Sequence, residues 1–448
     1  MGAMHESILI KDIPMMLPEG ERRGDLFIRD GKIEAIGPSL NPSAELEIRE
    51  SGLTLLPGII DTHVHFREPG ATHKEDIESG SRAAAGAGVT TFFDMPNTSP
   101  STLDSATLDQ KFDIASKTSY INYQFYIGAS KENIDQLPTM REAAAIKLFR
   151  GSSTGNLLVD DPNDLERLFS QGTMRIAVHS EDEAMVLENN EKYLPNDDVK
   201  THMKIRSPEA ALSSTKQLVA LAKKHNRRLH ILHITTAEET EYLSTEPAVQ
   251  SGLVTAEACI PHLFFSAPEA YDTLGTLAQV NPPIRDARHR ERIWKGLHEG
   301  TIKAVTTDHA PHLLSEKAAS YPKAPSGMPT IDVTVPAMLN EVNKGHITLE
   351  QLVQWMCVAP AQCLGIQNKG QIKAGFDADL ILVDMTKQYT IENKNIRSRA
   401  GWTAFDGMPC QGQTLATICN GQIVFREGDF FEKMGRRCEI RHPEPVHS

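Results

Sequence analysis

The chain of 448 residues has few cysteines, no long apolar run and a deficit of positive charge. Its six cysteines lie far apart and form no CxxC pair, a pattern typical of reduced cytosolic thiols and not of a disulfide framework. No apolar run approaches the roughly 20 residues that a membrane helix needs, and the N-terminus has no basic region followed by an apolar core. We therefore expect a cytoplasmic protein with no membrane partner.

Basic residues are outnumbered, with 46 Lys and Arg against 59 Asp and Glu, so the net charge is -13 at pH 7. A surface of this sign repels phosphate backbones, which argues against nucleic acid as a partner over a broad face. It does not exclude a small anionic substrate held by a few local cations. Hydrophobic residues make up 40% and charged residues 23% of the chain, the balance of a folded globular protein.

A glycine-rich GxGxxG turn is also missing after the first apolar run, and this bears on the fold. Apolar runs with strand character alternate with helical stretches in the middle of the chain, at residues 58–66, 89–96, 122–128, 143–149, 174–180, 228–236, 253–259 and 302–309. Eight such repeats over about 250 residues suit a (β/α)8 barrel. The alternative is an open doubly wound sheet, whose nucleotide-binding form is disfavoured without the glycine-rich turn.

The two ends of the chain are rich in short strands instead of helices. Asp30-Gly31 and Asn420-Gly421 each stand between strand-like runs, and these dipeptides favour tight hairpin turns. We therefore predict an α/β protein, a (β/α)8 TIM barrel with a small β-sandwich domain formed from both termini. The predicted segments are 1–56 for the first part of the sandwich, 57–365 for the barrel and 366–448 for the second part.

The stretch HVH places His63 and His65 two positions apart at the end of the first run. Residues i and i+2 of a strand project to the same side, so both imidazoles can bind one ion at the mouth of a barrel. Other residues that can bind a metal stand at or near the ends of later runs, where barrel enzymes assemble their active sites: Lys147, His179, His233 and Asp308. The alternative for each histidine is a buried or loop residue satisfied by hydrogen bonds.

Lys147 lies within the apolar run AAAIKLF, where an unpaired ammonium group is costly to bury. The alternative is a side chain that reaches the rim of the barrel and keeps its ammonium group in water. Burial lowers the pKa of a lysine, and the neutral amine can take up carbon dioxide to form a carbamate. A carbamate has two oxygens and can bridge two divalent ions.

Several motifs together resemble those of one family. The segments HVHFREPG, DMPNTSP, IKLF, VHSED, LHILHITTAEE and TTDHAPHLLSEK resemble the dihydroorotases of the amidohydrolase superfamily. The resemblance covers residues 57 to about 340, and the β-rich ends fit the small sandwich that such enzymes carry. It implies a pair of zinc ions (Zn2+) per subunit, with a single ion as the alternative.

Carried over by position, the resemblance implies a role for each candidate residue. One zinc ion would be bound by His63, His65 and Asp308. The other would be bound by His179 and His233, with carbamylated Lys147 as the bridge between the two ions.

The resemblance also implies the residues that hold the substrate. Its carboxylate would be bound by Arg67, Asn97 and His312, and its ring would lie against Asn281 and Gly327. The alternatives are a surface ion pair for Arg67, a turn for Asn97 and a helix cap for His312. Many relatives have two adjacent histidines where this chain has Pro261 and His262, so we interpret Glu257 and His262 as structural or supporting residues outside the site.

The implied function is the reversible hydrolysis of (S)-dihydroorotate to N-carbamoyl-L-aspartate in pyrimidine biosynthesis. By resemblance, a metal-bound hydroxide attacks the ring carbonyl, and Asp308 acts as general acid and base. The alternatives are a hydantoinase or dihydropyrimidinase, an allantoinase, and a barrel that only binds. A barrel of that last kind typically loses metal ligands, whereas this chain keeps all six. A homodimer is the default expectation for the assembly.

Overall fold

The computed structural model describes residues 5–151 and 157–443. In chain order its strands are β1 Ser7–Leu17, β2 Gly20–Arg29, β3 Lys32–Gly37, β4 Leu46–Ile48, β5 Thr54–Pro57, β6 Ile59–Val64, β7 Val89–Asp94, β8 Asn122–Phe125, β9 Ile127–Gly128, β10 Ile146–Phe149, β11 Ile176–His179, β12 Leu229–Ile231, β13 Val254–Cys259, β14 Ala304–Thr306, β15 Leu380–Thr390, β16 Pro409–Cys419, β17 Gln422–Arg426 and β18 Asp429–Phe430.

Helices stand between the central strands and continue beyond β14. The α-helices are Ile77–Ala87, Ser105–Thr118, Pro162–Ser170, Glu183–Tyr193, Thr201–Ile205, Pro208–Lys224, Ala237–Thr245, Pro247–Gln250, Ile260–Phe264, Glu269–Leu274, Ala287–His298, Leu314–Lys317, Ile331–Asn343, Leu349–Val353 and Ala359–Leu364. A π-helical turn spans Gln354–Val358, and 3-10 turns span Leu137–Thr139, Gly275–Ala278 and Asn393–Asn395.

The parallel strands β6 to β14 form the wall of a barrel. Hydrogen bonds join β6, β7 and β8 in one sheet and β9 to β14 in another. The broken third strand, β8 and β9, links them, because the Tyr126 N–H donates to the Asp94 carbonyl and the Ile127 N–H to the Ala145 carbonyl. The eight predicted runs are therefore the eight strands of the barrel, and the helices between them cover its outside.

The barrel closes where its first strand meets its last. Val64 bridges to His309, and the His65 N–H donates to the His309 carbonyl at 2.8 Å. Asp61 on β6 accepts two hydrogen bonds from Thr307, from the hydroxyl at 2.6 Å and from the N–H at 3.2 Å. These contacts fix the relative position of the segments that follow β6 and β14.

The strands of both termini form one nine-stranded sheet, in the order β18, β17, β16, β15, β5, β1, β2 and β3, with β4 beside β1. The predicted hairpins are present, and their central residues Asp30, Gly31, Asn420 and Gly421 all have positive φ, as tight hairpin turns require. Apolar side chains from both ends of the chain pack in one core of their own, separate from the barrel core. The predicted barrel with a sandwich from both termini is confirmed, whereas the segments 1–56, 57–365 and 366–448 stay a prediction.

Several strands are shorter than the runs that predicted them. The run 228–236 is a strand only over Leu229–Ile231, and the run 302–309 only over Ala304–Thr306. In both, the chain leaves the sheet two residues before a candidate site residue, His233 or Asp308. The apolar pattern does not reveal this because the residues after the turn are still buried.

A buried ion pair supports the segment that follows β6. Lys111 and Asp94 are both inaccessible to solvent, and the Lys111 ammonium donates to the Asp94 carboxylate and to the Met95 carbonyl. The second Asp94 oxygen accepts the Phe66 N–H at 2.7 Å. Since removal of one partner of a buried pair leaves an uncompensated charge, this contact holds the backbone next to Arg67 in place.

Within the described residues, no helix is both long and apolar enough to span a membrane. The six cysteines carry free thiols, and all are buried.

Candidate metal and substrate site

A pocket of about 310 Å³ opens at the carboxyl ends of the barrel strands. The structure brings all of the predicted site residues to its walls: His63, His65, Arg67, Asn97, Lys147, His179, His233, Asn281, Asp308, His312 and Gly327. A larger cavity of about 620 Å³ lies against the terminal sheet, and the described residues that line it include one carboxylate, Glu19, and no histidine or cysteine. The groups that can bind a metal or move a proton are therefore concentrated at the barrel mouth.

Three residues at the pocket have a left-handed backbone that side chains rarely adopt. The φ angle is 63° at Arg67, 35° at His233 and 47° at Asp308. Such a conformation costs about 1–3 kcal/mol in a residue other than glycine. All three follow the end of a barrel strand within three residues, where the turn directs their side chains to the pocket. Strain that is concentrated at one pocket is typical of a functional site.

His63, His65 and Asp308 have the spacing of ligands around one ion. The Nε2 atoms of both histidines lie 3.3 Å from Oδ1 of Asp308. Two ligand atoms that are each 2.0–2.1 Å from a tetrahedral zinc ion stand about 3.4 Å apart. His233 also belongs to this group, since ligand atoms of His63, His233 and Asp308 all lie within 4.8 Å of one another. Imidazole and carboxylate donors suit zinc and other divalent transition metals.

His65 and Asp308 have the protonation states that a metal ligand needs. Burial lowers the pKa of His65 to about 4, although Asp308 opposes the shift. Burial disfavours the ionised form of Asp308, but the charges of His63 and Lys147 and the hydrogen bond from His65 outweigh it and lower the pKa of the carboxyl. At neutral pH, His65 therefore keeps a free lone pair and Asp308 its negative charge.

His179 and His233 form a second pair of candidate ligands. The Nδ1 atom of His179 lies 3.0 Å from Nε2 of His233, while its Nε2 lies 2.7 Å from the Glu181 carboxylate. Burial opposes the ionisation of Glu181, but Arg206 and His179 lower its pKa to about 2. The ionised carboxylate fixes the His179 proton on Nε2, so Nδ1 presents a lone pair to His233. Two ring nitrogens this close require a proton or a metal ion between them.

Lys147 is the second residue of β10, and only 1% of its surface is exposed. In register beside it on the neighbouring strands stand Gly128 and Ala177, whose small size leaves room for the long side chain. Its Nζ lies 4.6 Å from the ring centroid of Phe149, and among the described residues it has no hydrogen bond or ion pair. Burial lowers the pKa of Lys147 to about 7. The ammonium group therefore does not reach water at the rim.

Glu257 on β13 supports His63, a contact that the sequence analysis did not identify. Its Oε1 lies 2.6 Å from Nδ1 of His63, and its Oε2 lies 3.0 Å from Nε2 of His230. Burial opposes its ionisation, but the two histidines lower its pKa. The carboxylate accepts the Nδ1 proton of His63 and leaves Nε2 to face Asp308. A signal for Glu257 was available in the sequence. Side chains alternate between the two faces of β13, and an acidic side chain on the inward face needs a buried partner.

Cys259, His63 and Glu257 lie close together, but their protonation states do not favour a metal ion. Ligand atoms of His63, Glu257 and Cys259 also lie within 4.8 Å of one another. Burial and the charge of Glu257 raise the pKa of the Cys259 thiol well above its ordinary value, whereas a metal binds the thiolate. The nitrogen of His63 on this side already carries the proton that Glu257 accepts. The candidate metal ligands therefore lie on the Asp308 side of His63.

The residues predicted to hold a carboxylate lie beside the candidate metal ligands. Asn97 contacts His65 through Oδ1 at 2.8 Å from Nδ1, which leaves its amide N–H groups for another acceptor. The Arg67 Nε donates to the Pro311 carbonyl at 3.2 Å, and its Nη2 lies 3.2 Å from Nε2 of His312. Burial lowers the pKa of Arg67 only to about 10, so the guanidinium stays charged at neutral pH.

Asn281 and Gly327 contribute shape to the pocket. The Asn281 Oδ1 lies 2.8 Å from Nε2 of His202. Gly327 has a φ of 144°, and a Cβ there would lie 2.5 Å from the Ala310 carbonyl oxygen, so no other residue fits without a shift of the backbone. Its N–H donates to the Gln279 carbonyl at 3.0 Å, which joins the two loops that carry these residues.

Comparison with known proteins identifies the family. Residues 54–424 match the amidohydrolase family. The chain is 32% identical to a dihydroorotase of Methanosarcina acetivorans, over 96% of this chain and 97% of that protein. It is 34% identical to a dihydroorotase of Halobacterium salinarum, over 88% of this chain and 91% of that protein. The chain belongs to the amidohydrolase family.

The solved structures show the same amidohydrolase fold. An L-hydantoinase (dihydropyrimidinase) from Arthrobacter aurescens has a TM-score of 0.92 at 25% identity, over 97% of this chain and 100% of that chain. A dihydropyrimidinase from Brevibacillus agri has a TM-score of 0.90 at 24% identity, over 98% and 100%. The predicted resemblance, the barrel fold and the prediction of a cyclic amidohydrolase enzyme are confirmed. The roles of the individual site residues stay predictions.

The contact between Glu257 and His63 predicts a measurable effect on metal binding. We expect Glu257→Gln to bind zinc about 10- to 100-fold more weakly, because the amide no longer holds the His63 ring as an ionised carboxylate does. Titration of the metal-free protein against a chromophoric chelator measures the affinity. Glu142→Gln, at an exposed ion pair with Arg437, is the control. Wild-type zinc affinity in a folded Glu257→Gln protein would contradict the assignment.

Proposed function

We propose that this amidohydrolase is a dihydroorotase that interconverts (S)-dihydroorotate and N-carbamoyl-L-aspartate in pyrimidine biosynthesis. The observation that carries the proposal is the pair Arg67 and His312, whose nitrogens lie 3.2 Å apart beside the candidate metal ligands. A charged guanidinium favours an anionic oxygen over a neutral group, and its planar fork matches a carboxylate. A carboxylate on the ring distinguishes dihydroorotate from dihydrouracil and hydantoin.

The alternative function is that of a hydantoinase or dihydropyrimidinase, and the likeness to solved structures of those names favours it. Their substrates have no ring carboxylate, so Arg67 would then face a neutral ring as a cation removed from water and without an anion. The curated relatives at 32% and 34% identity are named dihydroorotases, which supports the first proposal. We therefore rank dihydroorotase first.

The donor set fits a pair of divalent cations, which we propose to be zinc. His63, His65 and Asp308 would hold one ion, and His179 and His233 would hold the other. Such ions supply Lewis acidity, which lowers the pKa of a water molecule and polarises a carbonyl group. The spacing of 3.3 Å at Asp308 and the close approach of His179 to His233 support this assignment.

We propose that Lys147 is carbamylated and that its carbamate would help to hold both ions. The neutral amine forms a bond from Nζ to the carbon of carbon dioxide and releases one proton, which leaves an anionic carbamate with two oxygens. This explains why a lysine without an anionic partner lies among metal ligands, since the modification replaces a buried positive charge with a negative one. The carbamate would complete a set of ligands drawn from several different strands.

Asp308 is the proposed acid and base. In hydrolysis, the oxygen of water forms a bond to the ring carbonyl carbon, Asp308 accepts the proton, and the ring C–N bond breaks. Asp308 then delivers the proton to the departing nitrogen, which would otherwise leave as an unstable anion. Ring closure runs the same transfers in reverse, so one carboxylate serves both directions. Because its pKa is lowered, the Asp308 carboxyl is ionised at neutral pH, and this is the form that can accept a proton.

Substrate preference tests the proposed function directly. We expect kcat/KM for dihydroorotate to exceed that for dihydrouracil or hydantoin by at least about 100-fold, because a site with buried donors disfavours a ring that lacks the matching acceptor. Arg67→Met should remove most of this preference by lowering activity on dihydroorotate alone. Arg441→Met, near the C-terminus, serves as the control. A preference for either neutral ring in the wild-type protein would favour the hydantoinase alternative.

The proposed role predicts that Lys147 cannot be replaced by a residue without an anionic group. We expect Lys147→Ala to lose at least about 1,000-fold in kcat, since the site would lack a shared anionic ligand for both ions. Added acetate or propionate should restore part of the activity by occupying the vacated position. The exposed Lys394→Ala is the control. Near-normal turnover by Lys147→Ala, with both metals bound, would contradict the bridging role.

The assembly and the cellular location stay predictions. We propose a homodimer in the cytoplasm, as the sequence analysis predicts.

A further inference from the structure

The imidazole of His312 has three polar neighbours that impose conflicting demands on its protons. Its Nδ1 lies 3.0 Å from Nζ of Lys74. Its Nε2 lies 3.1 Å from the Ser326 carbonyl oxygen and 3.2 Å from Nη2 of Arg67. Lysine and arginine can only donate hydrogen bonds, whereas a carbonyl can only accept them. The tautomer therefore decides which of the three contacts are favourable.

One tautomer satisfies two of these contacts and the other satisfies one. With the proton on Nε2, His312 donates to Ser326 and accepts from Lys74 at Nδ1, and only the Arg67 contact is unfavourable. With the proton on Nδ1, only the Arg67 contact is favourable, and an N–H faces the Lys74 ammonium at 3.0 Å. The doubly protonated ring is disfavoured because burial and the charges of Arg67 and Lys74 lower the pKa of His312 to about 2.

Lys74 is the neighbour that decides between the two neutral forms. Without it, each tautomer would satisfy one contact at Nε2, with Ser326 or with Arg67. The backbone at His312 is fixed independently, since its carbonyl accepts the Trp402 indole N–H at 2.8 Å. Lys74 is also held, by an ion pair with Glu316 at 3.0 Å. Glu316 lies 3.8 Å from Nδ1 of His312, too far for a hydrogen bond.

We propose that Lys74 is a positioning residue for substrate specificity: its ammonium group fixes His312 in the tautomer whose Nε2–H donates to the carboxylate of the substrate. Lys74 does not line the pocket, so it acts through His312. In this state, His312 and Arg67 present two N–H donors 3.2 Å apart. A carboxylate oxygen beside them would accept from Arg67 and would share the Nε2–H of His312 with the Ser326 carbonyl, so that the Arg67 N–H gains an acceptor. The proposal rests on the proposed function, since it concerns recognition of the ring carboxylate.

The role predicts a loss confined to substrates with the carboxylate. We expect Lys74→Met to lower kcat/KM for dihydroorotate by about 10- to 100-fold, mainly through KM, because one charge-assisted hydrogen bond is lost from the recognition of an anion. Activity on dihydrouracil should change by less than about threefold. Lys74→Arg, which keeps a charged donor, should recover part of the loss. Lys117→Met, at an exposed ion pair with Asp113, is the matched control and should stay close to wild type.

A spectroscopic measurement tests the same contact without turnover. We propose to label the metal-loaded protein with 15N-histidine and to record long-range 1H–15N correlations, with His312→Asn used to assign the ring. The wild-type ring should show the Nε2–H tautomer, and Lys74→Met should show a mixture or the Nδ1–H form. An unchanged tautomer in a folded Lys74→Met protein, or equal losses on dihydroorotate and dihydrouracil, would overturn the proposal.

The two readouts separate this proposal from the proposed function. A wild-type protein that prefers a neutral ring overturns the function as a dihydroorotase, whatever the tautomer of His312. A protein that prefers dihydroorotate, but whose His312 tautomer and substrate preference do not depend on Lys74, overturns only the role of Lys74. Lys74→Gln provides a second neutral variant if Lys74→Met does not fold.

Discussion

The meeting of the first and last barrel strands is the constraint on which the rest of the site depends. Asp61 and Thr307 are 246 positions apart in the sequence, yet their hydrogen bond of 2.6 Å joins β6 to the residue that follows β14. Two residues beyond Asp61 stands His63, and one residue beyond Thr307 stands Asp308. Closure of the barrel therefore brings Nε2 of His63, on the first strand, to 3.3 Å from Oδ1 of Asp308, after the last strand.

A common arrangement governs three of the histidines around the pocket. His63, His179 and His312 each have one ring nitrogen held by a charged group outside the pocket, which leaves the other nitrogen in a defined protonation state. Carboxylates perform this for two rings, Glu257 for His63 and Glu181 for His179. The Lys74 ammonium group holds Nδ1 of His312 in the same way. The sign of the partner's charge decides whether the nitrogen that faces the pocket carries a proton. A carboxylate leaves an inner lone pair that suits a cation, whereas an ammonium leaves an inner N–H that suits an anion.

The sequence predicted the barrel and the candidate site residues because both rest on local signals. The eight apolar runs and the two hairpin dipeptides reflect the period and turn chemistry of individual elements. Residues such as His63, His65 and Arg67 were identified because they stand in short motifs that resemble those of dihydroorotases. All of them line one pocket.

The supporting residues could not be predicted in the same way. Glu257 and Lys74 contact His63 and His312, which lie 194 and 238 positions away in the chain. Glu181 stands two residues from His179, and the alternation along β13 directs Glu257 inward, but neither local pattern shows which ring the carboxylate holds. The early ends of β12 and β14 were missed for a related reason. Buried residues continue past the turn, so the left-handed backbone at His233 and Asp308 leaves no trace in the hydrophobic pattern.

The central claim is that the barrel mouth holds two divalent cations between residues drawn from separate strands. Elemental analysis of the protein, purified without chelators and with zinc present during expression, tests this claim most directly. The account predicts two zinc ions per chain, within the precision of the protein concentration. Less than one ion per chain in folded protein would contradict it and would favour a barrel that binds without catalysis.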